Sequence, residues 1–185
     1  MNLAISGKKN SGKDTAANLL AACIGEDSCF RTSFAKPIKD IIHALWPHIP
    51  ARVLWGPSKE RDTTSVSIFG QEISVRKLMQ KIGKIGRSYD QDLWIKLVLD
   101  KCSNSEKPHK IISDCRFVNE FNCLKKNNYT VIKIVRNNNS VIDSDVSETD
   151  LDNIPESSYD YIIENNGSLG ELSHNVYNLC QQLKL

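Results

Sequence analysis

The stretch LAISGKKNSGKDT, residues 3–15, decides the fold of this chain of 185 residues. Residues 3–5 are apolar and predict a short buried strand, residues 7–12 predict a turn bracketed by glycines, and residues 15–24 predict a helix. A strand, such a turn and a helix start aim several backbone N–H groups at one point, where the helix dipole adds positive charge. The stretch therefore predicts a phosphate-binding loop.

The side chains of this loop suit a polyphosphate. Gly7 and Gly12 let the backbone approach the phosphates without a Cβ in the way, and Lys13 can reach the outer phosphates. We expect the loop to bind its ligand through the following residues: Gly7, Lys8, Asn10, Ser11, Gly12, Lys13, Asp14 and Thr15.

One position departs from the usual form of such a loop. The Walker pattern has Ser or Thr directly after the lysine, to hold Mg²⁺ by its hydroxyl, whereas this chain has Asp14 there and Thr15 next. Either residue could face the metal, and the sequence leaves both open. The alternative for the whole stretch is a polar turn in which Asn10 or Ser11 caps the helix.

The composition limits the kinds of partner. The net charge is +2, from 24 Lys and Arg against 22 Asp and Glu, which argues against a protein that coats nucleic acid or lies on a membrane. The six cysteines form no CxxC pair, and no signal peptide is recognisable, so we expect reduced thiols and a cytoplasmic protein. The length suits a single domain over residues 1–185. The near balance of charges makes small anions the expected partners.

Apolar runs and helical patterns alternate along the chain. Two of the apolar runs are rich in β-branched residues, as expected for strands buried on both faces of a parallel sheet. The alternation predicts a doubly wound α/β fold with a five-stranded parallel sheet and helices on both faces. The predicted strands are residues 2–6, 30–34, 110–113, 130–135 and 159–163, and further helices are predicted over 117–126 and 169–183.

One region interrupts this alternation. Residues 47–74 contain prolines, glycines and a charged run, and they predict no regular element, whereas residues 75–82 and 92–102 predict two helices joined by a connection over 83–90. An insertion between the second and third strands would lie over the carboxyl edge of the sheet, where α/β proteins bind ligands. We interpret residues 48–103 as a helical acceptor-binding insertion, with a solvated surface loop as the alternative for the irregular part.

Charged residues follow the predicted strands. Asp114 takes the place of a Walker B carboxylate that could hold Mg²⁺, or else caps the next helix. Arg116 could clamp a phosphate or pair with Glu120 one turn later, and Arg136 could neutralise charge on a transferring phosphoryl group or face solvent.

The insertion carries further candidates for acceptor binding. Arg76 and Gln80 are four residues apart, so they share a helix face and could grip a phosphate and a base, although such a face is also typical of a solvated helix. Lys36 follows the second strand, and Trp94 could stack on a base but is more typical of core packing.

Eight blocks of the chain resemble the bacteriophage deoxynucleoside monophosphate kinases. The similarity runs nearly end to end in the same order, and the unusual Asp14 is part of it. The blocks are GKKNSGKDT (7–15), SFAKPIKD (33–40), SVRKLMQKIG (74–83), DLWIKL (92–97), SDCRFVNE (113–120), VIKIVR (131–136), DVSETDL (145–151) and ENNGSLGEL (164–172).

The resemblance implies a P-loop kinase of the nucleoside monophosphate kinase type. Such an enzyme transfers the ATP γ-phosphoryl group, with Mg²⁺, to the 5′-phosphate of a deoxynucleotide, giving a diphosphate for DNA synthesis. It implies closure of the insertion and of residues 137–152 over the site, and a location in the host cytoplasm if a phage encodes the chain. The implied roles are catalysis for Lys13, Asp14, Asp114, Arg116 and Arg136, metal binding for Asp14, Thr15 and Asp114, adenine binding for Asn165 and Gly167, and acceptor binding for Lys36, Arg76, Gln80, Trp94, Asn119 and Glu120.

Two other functions share part of this pattern. A phosphomevalonate or dephospho-CoA kinase would have the same donor loop but a different acceptor pocket. A nucleotide-dependent switch or nucleic-acid ATPase would need a guanine-reading NKxD motif or a basic stripe, and the sequence has neither. Whether the chain forms a homodimer stays open.

Overall fold

The computed structural model describes residues 1–68, 70–137 and 146–185. The chain divides into two compact units, one of residues 1–33 with 100–185 and one of residues 34–99. Its helices and strands follow in the order β1 (Asn2–Ser6), α1 (Lys13–Ile24), β2 (Cys29–Thr32), α2 (Lys36–Leu45), α3 (Ala51–Trp55), α4 (Ser58–Thr63), β3 (Ser65–Ile68), β4 (Gln71–Ser74), α5 (Val75–Tyr89), α6 (Leu93–Ser103), β5 (His109–Cys115), α7 (Val118–Lys126), β6 (Thr130–Val135), α8 (Val146–Thr149), β7 (Tyr161–Glu164) and α9 (Leu169–Leu183).

The first unit is built on the predicted five-stranded parallel sheet, which is confirmed. Its strand order is β2-β5-β1-β6-β7, so β1 lies at the centre between β5 and β6. Strands β1 and β6 have the predicted bounds, whereas β5 runs two residues further than predicted, to Cys115. Because all five strands are parallel, their carboxyl ends meet at one edge, next to the loop that follows β1.

Helices flank this sheet through apolar side chains. Leu20 of α1 and Val176 of α9 pack with Leu3, Ile5 and Ile132 of the sheet in one buried cluster. Each such side chain contributes about 1.5–3 kcal/mol when it is removed from water. This packing holds the amino end of α1, and with it the loop after β1, in a fixed position at the edge of the sheet.

The second unit corrects the prediction for residues 47–74. They form the short helices α3 and α4 and the antiparallel pair β3-β4. Pro50 and Pro57 directly precede the two helices, with φ near −60°, so they start elements that are too short to show hydrophobic periodicity.

The predicted connection over residues 83–90 is also wrong, because α5 continues to Tyr89. Its two glycines do not end the helix, and Gly86 makes room for Trp94. The Trp94 indole N–H donates to the Gly83 carbonyl oxygen at 3.0 Å, and a Cβ on Gly86 would overlap the indole ring. The glycines therefore serve helix packing.

Two further outcomes concern the outer parts of the chain. None of the helices in the ranges described is long and apolar enough to cross a bilayer. Of the segment 137–152 that we expected to close over the site, residues 138–145 lie outside the described residues.

Candidate active site

The loop between β1 and α1 depends on close approaches that only glycine allows. At Gly12 the backbone is left-handed, with φ +97°, and a Cβ there would overlap the Asn165 amide nitrogen. A Cβ on Gly7 would lie 2.5 Å from Ser11 Oγ and 2.7 Å from the Ile134 carbonyl oxygen. The loop is therefore tightly wound, and the N–H groups of the first turn of α1, which lack helical partners, point out at its end.

The start of α1 does not follow the capped-turn alternative. Helix α1 begins at Lys13 after Gly12, and within the described part of the chain no side-chain hydrogen bond caps it. Asn10 has a left-handed φ of +62°, and the Ser11 N–H closes a turn on the Lys8 carbonyl oxygen at 3.1 Å. The geometry is that of a phosphate-binding loop.

Lys13 is folded back onto this loop. Its side chain is 5% exposed, and Nζ donates to the Lys8 carbonyl oxygen at 3.2 Å. Burial lowers the pKa of Lys13 to about 8, with a further contribution from the charge of Arg116, against the opposing effect of Asp14, Glu148 and Asp114. The ammonium is therefore held in the loop with few partners, where an anionic ligand would stabilise its charged form.

Oxygen ligands for Mg²⁺ are available at the same place. Asp14 is exposed and Thr15 is half-buried, both in the first turn of α1, and Asp114 is 8% exposed near the end of β5. The described ranges contain no cluster of three His, Cys, Asp or Glu side chains that could hold a metal. Mg²⁺ in kinases usually takes one or two protein carboxylates and completes its shell with phosphate and water, so these residues fit it.

The end of β5 lies beside the phosphate-binding loop, since Cys115 pairs in register with Ser6. Asp114 belongs to the strand itself and is not the cap of α7, which begins after Phe117. The N-cap residue is Phe117, and the capping side chain is that of Glu120, whose carboxylate accepts the N–H groups of Arg116 and Phe117 at 2.7 and 3.1 Å. Burial, together with the charge of Asp114, raises the pKa of Glu120 to about 8, although the two N–H groups oppose the shift.

The Arg116 side chain has a different partner from the one that the sequence suggested. Its guanidinium forms an ion pair with Glu148 of α8. The other carboxylate oxygen of Glu148 accepts the Lys9 N–H at 2.6 Å. Although burial opposes its charge, Glu148 and Asp114 outweigh that effect and raise the pKa of Arg116. Glu148 therefore joins the phosphate-binding loop to the residue that follows β5.

A cavity of about 340 Å³ opens among these groups. Arg136, which is exposed directly after β6, lines it together with Lys8 and Arg116. The Ser11 hydroxyl also lines it, is buried, and has no hydrogen-bond partner among the residues that the structure describes. The remaining lining residues are Ser6, Gly7, Cys115, Lys133, Ile134, Val135, Ser147, Glu148, Leu151, Asp152 and Tyr159.

The turn after β7 lies against the phosphate-binding loop from the other side. The Asn165 side chain is 7% exposed, and its amide donates to the Ser11 carbonyl oxygen at 2.8 Å. Gly167 lies in the same turn, next to a second pocket of about 610 Å³ that is lined by residues of this turn and of the first turns of α9. The predicted adenine site therefore contains a concave surface, and Asn165 also supports the loop itself.

The second unit holds four of the acceptor-side candidates. Arg76, in the first turn of α5, is held by α4, because it pairs with Asp62 and donates to Ser58 Oγ at 2.6 Å. Gln80 lies one turn later on α5 and is half-buried. Lys36 forms an ion pair with Asp40 at 2.9 Å.

Trp94 lies in the core of the second unit, which is the packing role that the sequence also allowed. Asn119 and Glu120 lie in the first turn of α7 in the first unit. The acceptor-binding roles of all these residues stay predictions.

Sequence reasoning missed the acidic residues after β6. Glu148, Asp150 and Asp152 all contact the phosphate-binding loop or the start of α7: Asp150 accepts the Val118 N–H at 2.7 Å, and Asp152 pairs with Lys8 at 2.9 Å. The signal was the alternation of acidic residues within SETDLD, residues 147–152, but alternate acids occur on many solvated turns. Their partners are 32 to 144 residues away, so spacing does not reveal them.

The fold and the site are those of a P-loop kinase. The central parallel strand leads through a glycine loop into a helix, and a buried lysine and a strand-end carboxylate lie beside that loop. A dephospho-CoA kinase from Campylobacter jejuni has a similar fold, with a TM-score of 0.55 and 12% identity over 98% of this chain and 96% of that one.

Sequence comparison gives the family. The family described as deoxynucleotide monophosphate kinase matches residues 57–176, and the chain belongs to it. It is 26% identical to the deoxynucleotide monophosphate kinase of Enterobacteria phage T4, over 97% of this chain and 98% of that one. A protein of Acanthamoeba polyphaga mimivirus named for the same activity is 29% identical over 91% of this chain and 90% of its own length. The chain is therefore a nucleotide kinase whose substrate is a nucleoside monophosphate.

Proposed function

We propose that this enzyme transfers the γ-phosphoryl group of ATP, with Mg²⁺, to deoxynucleoside 5′-monophosphates and so supplies diphosphates for DNA synthesis. The observation that carries the proposal is that Lys13 is buried in a loop that Gly7 and Gly12 allow to wind tightly, where the charge of Asp114 acts on it. The membership of the chain in its family supports the deoxynucleotide as acceptor.

The donor site is proposed at the phosphate-binding loop. Loop N–H groups and the Lys13 ammonium would hold the β- and γ-phosphates, and the turn with Asn165 and Gly167 would lie against the adenine. Asp114, with Asp14 or Thr15, would hold Mg²⁺, and the ion would supply positive charge that offsets the charge of the phosphates.

The acceptor needs no strong base, because its phosphate oxygen is already anionic near neutral pH. The protein must align the two phosphates and offset the charge that they share. Arg116 and Arg136 line the cavity beside the loop and can supply positive charge there. We propose residues 48–103 as the acceptor-binding part of a single kinase, with Arg76 and Gln80 as its polar contacts.

A coupled ADP-release assay tests the reaction and the acceptor class together. Deoxy and ribo monophosphates, phosphomevalonate and dephospho-CoA are each offered with ATP and Mg²⁺. We expect turnover with one or more deoxynucleotides, and turnover only with phosphomevalonate or dephospho-CoA would reject the proposal.

The Lys13→Ala variant tests the donor site. We expect kcat/KM to fall more than about 100-fold, because a cation at the transferring phosphoryl group is lost. The matched control is Lys126→Ala, an exposed lysine at the end of α7. Equal activity of the two variants would contradict the assignment of Lys13.

A further inference from the structure

The carboxylate of Glu148 lies where the phosphate-binding loop and Arg116 together offer hydrogen-bond donors. One oxygen accepts the Lys9 N–H at 2.6 Å, the other pairs with the Arg116 guanidinium, and the side chain is 7% exposed. A loop N–H group and a guanidinium are the donors that proteins use for phosphate. Glu148 therefore fills an anion position that is built from the chain's own phosphate-binding groups.

The rest of the segment after β6 reinforces this contact. Asp152 pairs with Lys8 at 2.9 Å, and Asp150 accepts the Val118 N–H at 2.7 Å. Three carboxylates of residues 148–152 thus contact the phosphate-binding loop or the segment that joins β5 to α7. Lys8 and Arg116 line the cavity and could bind a ligand, but each is paired with one of these carboxylates.

A polyphosphate and this carboxylate cannot both keep the same donors. A nucleoside triphosphate adds several negative charges, and like charges at contact distance in a partly buried site repel strongly. The Lys9 N–H has one hydrogen to donate, and a phosphate oxygen that takes it must replace Glu148.

We propose that the Glu148 carboxylate occupies the position at which a substrate phosphate binds, and that this competition determines the enzyme's affinity for that phosphate. This inference rests on the proposed function. Glu148 holds the position between the Lys9 N–H and Arg116 until a phosphate group of the nucleotide takes its place. Each binding event then exchanges one anion for another, so the cations of the site stay paired in the ligand-free enzyme and the measured affinity is weaker than the loop alone would give.

The Glu148→Gln variant tests this exchange. It keeps the shape of the side chain but removes its charge, so the competing anion is weakened. We expect the Kd of inorganic tripolyphosphate, measured by calorimetry, to fall about tenfold, because a charge-assisted hydrogen bond is lost only from the ligand-free state. The matched control is Glu106→Gln, an exposed residue in which the same change of net charge should leave the Kd unaltered.

A second ligand distinguishes the source of the phosphate. If the donor displaces Glu148, the variant gains affinity for tripolyphosphate, and if the acceptor does so, it gains affinity for a deoxynucleoside monophosphate. An unchanged or higher Kd for both ligands in Glu148→Gln would overturn the proposal. Binding of tripolyphosphate to neither the wild type nor the variant would instead overturn the proposed donor site, and an unchanged Kd for the monophosphate would then overturn this inference as well.

Hydrogen exchange on the wild-type enzyme keeps the proposal testable if the variant fails to fold. Saturation with tripolyphosphate or with a deoxynucleoside monophosphate, whichever displaces Glu148, should speed the exchange of the peptide over residues 146–153, because its contacts with Lys9 and Arg116 are broken. Unchanged or slower exchange of that peptide with each of the two ligands bound would refute the displacement.

Discussion

Replacing Asn165 with aspartate removes one hydrogen-bond donor that supports the phosphate-binding loop, with almost no change of shape. The amide donates to the Ser11 carbonyl oxygen at 2.8 Å, and the space beside it is limited, since a Cβ on Gly12 would overlap it. In the variant a carboxylate oxygen would face that carbonyl oxygen in a site that is 7% exposed. Either the two oxygens repel, or the carboxyl group takes up a proton and donates it to Ser11.

The size of the effect follows from these two outcomes. Losing a buried hydrogen bond and leaving its acceptor unpaired costs about 2 kcal/mol or more. Protonating an aspartate at pH 7, about three units above its usual pKa, costs about 4 kcal/mol and sets the upper limit. We therefore expect Asn165→Asp to lower the free energy of unfolding by about 2–4 kcal/mol at pH 7, or the Tm by about 4–16 °C.

The sign of the pH dependence is specific to this mechanism. An aspartate whose pKa is raised in the folded state destabilises the fold more as pH rises above its unfolded value near 3.9. The difference in Tm between the variant and the wild type should therefore shrink from pH 7 to pH 5, and the ATP affinity of the variant should recover with it.

Thermal unfolding followed by circular dichroism, and ATP calorimetry, measure both effects between pH 5 and pH 8. The matched control is Asn178→Asp, the same change at an exposed position of α9, which should leave Tm within about 2 °C. A wild-type Tm for Asn165→Asp at pH 7, or a loss that does not vary with pH, would refute the reasoning.

Three further predictions concern charge and packing. Because the pKa of Lys13 is lowered to about 8, tripolyphosphate affinity should fall about tenfold per pH unit above pH 8 in calorimetry, and a constant affinity up to pH 10 would contradict this. Burial raises the pKa of Glu120 to about 8, so the ionisation of this residue destabilises the folded state as pH rises from about 4.5 to 8. The Tm of Glu120→Gln should therefore increase relative to that of the wild type over this pH range, and a difference in Tm that shrinks as pH rises would oppose the assignment. Gly86→Ala should lower the free energy of unfolding, measured in urea, by about 1–3 kcal/mol, since a Cβ there would lie 2.7 Å from Trp94 Cε2. The control Gly170→Ala, whose Cβ would meet no atom closer than 3.7 Å, should not lower it. Equal stability of both variants would disprove the packing argument.

Much of the first unit could be predicted from sequence because its signals are local. The bounds of β1, β6 and α9 match the predictions, since each is a continuous apolar or amphipathic run between clear turn residues. Residues 47–74 of the second unit, which lie before its predicted helices, formed a segment that could not be predicted in this way. Its elements α3, α4, β3 and β4 have four to six residues each, which is too few to show a period.

The predictions also failed where contacts between segments that are distant in sequence overrode the role that a residue usually has among its neighbours. Gly83 and Gly86 resemble the end of a helix in the sequence, yet α5 passes through both, and the missing Cβ of Gly86 leaves space for the Trp94 indole. Arg116 resembles one half of an ion pair with Glu120, yet the buried Glu120 caps α7 through backbone N–H groups and the guanidinium pairs with Glu148.

The sequence by itself determined the order of strand, glycine loop and helix, and the presence of Lys13, Asp114 and Arg116 near the carboxyl ends of strands. These features depend on neighbours along the chain, which a sequence displays directly. Only the tertiary structure decided that Asn165 supports Ser11 from 154 residues away and that Glu148 fills the anion position beside Lys9 from 139 residues away. Such contacts form when distant segments meet at one edge of the sheet, and no spacing within the sequence encodes that meeting.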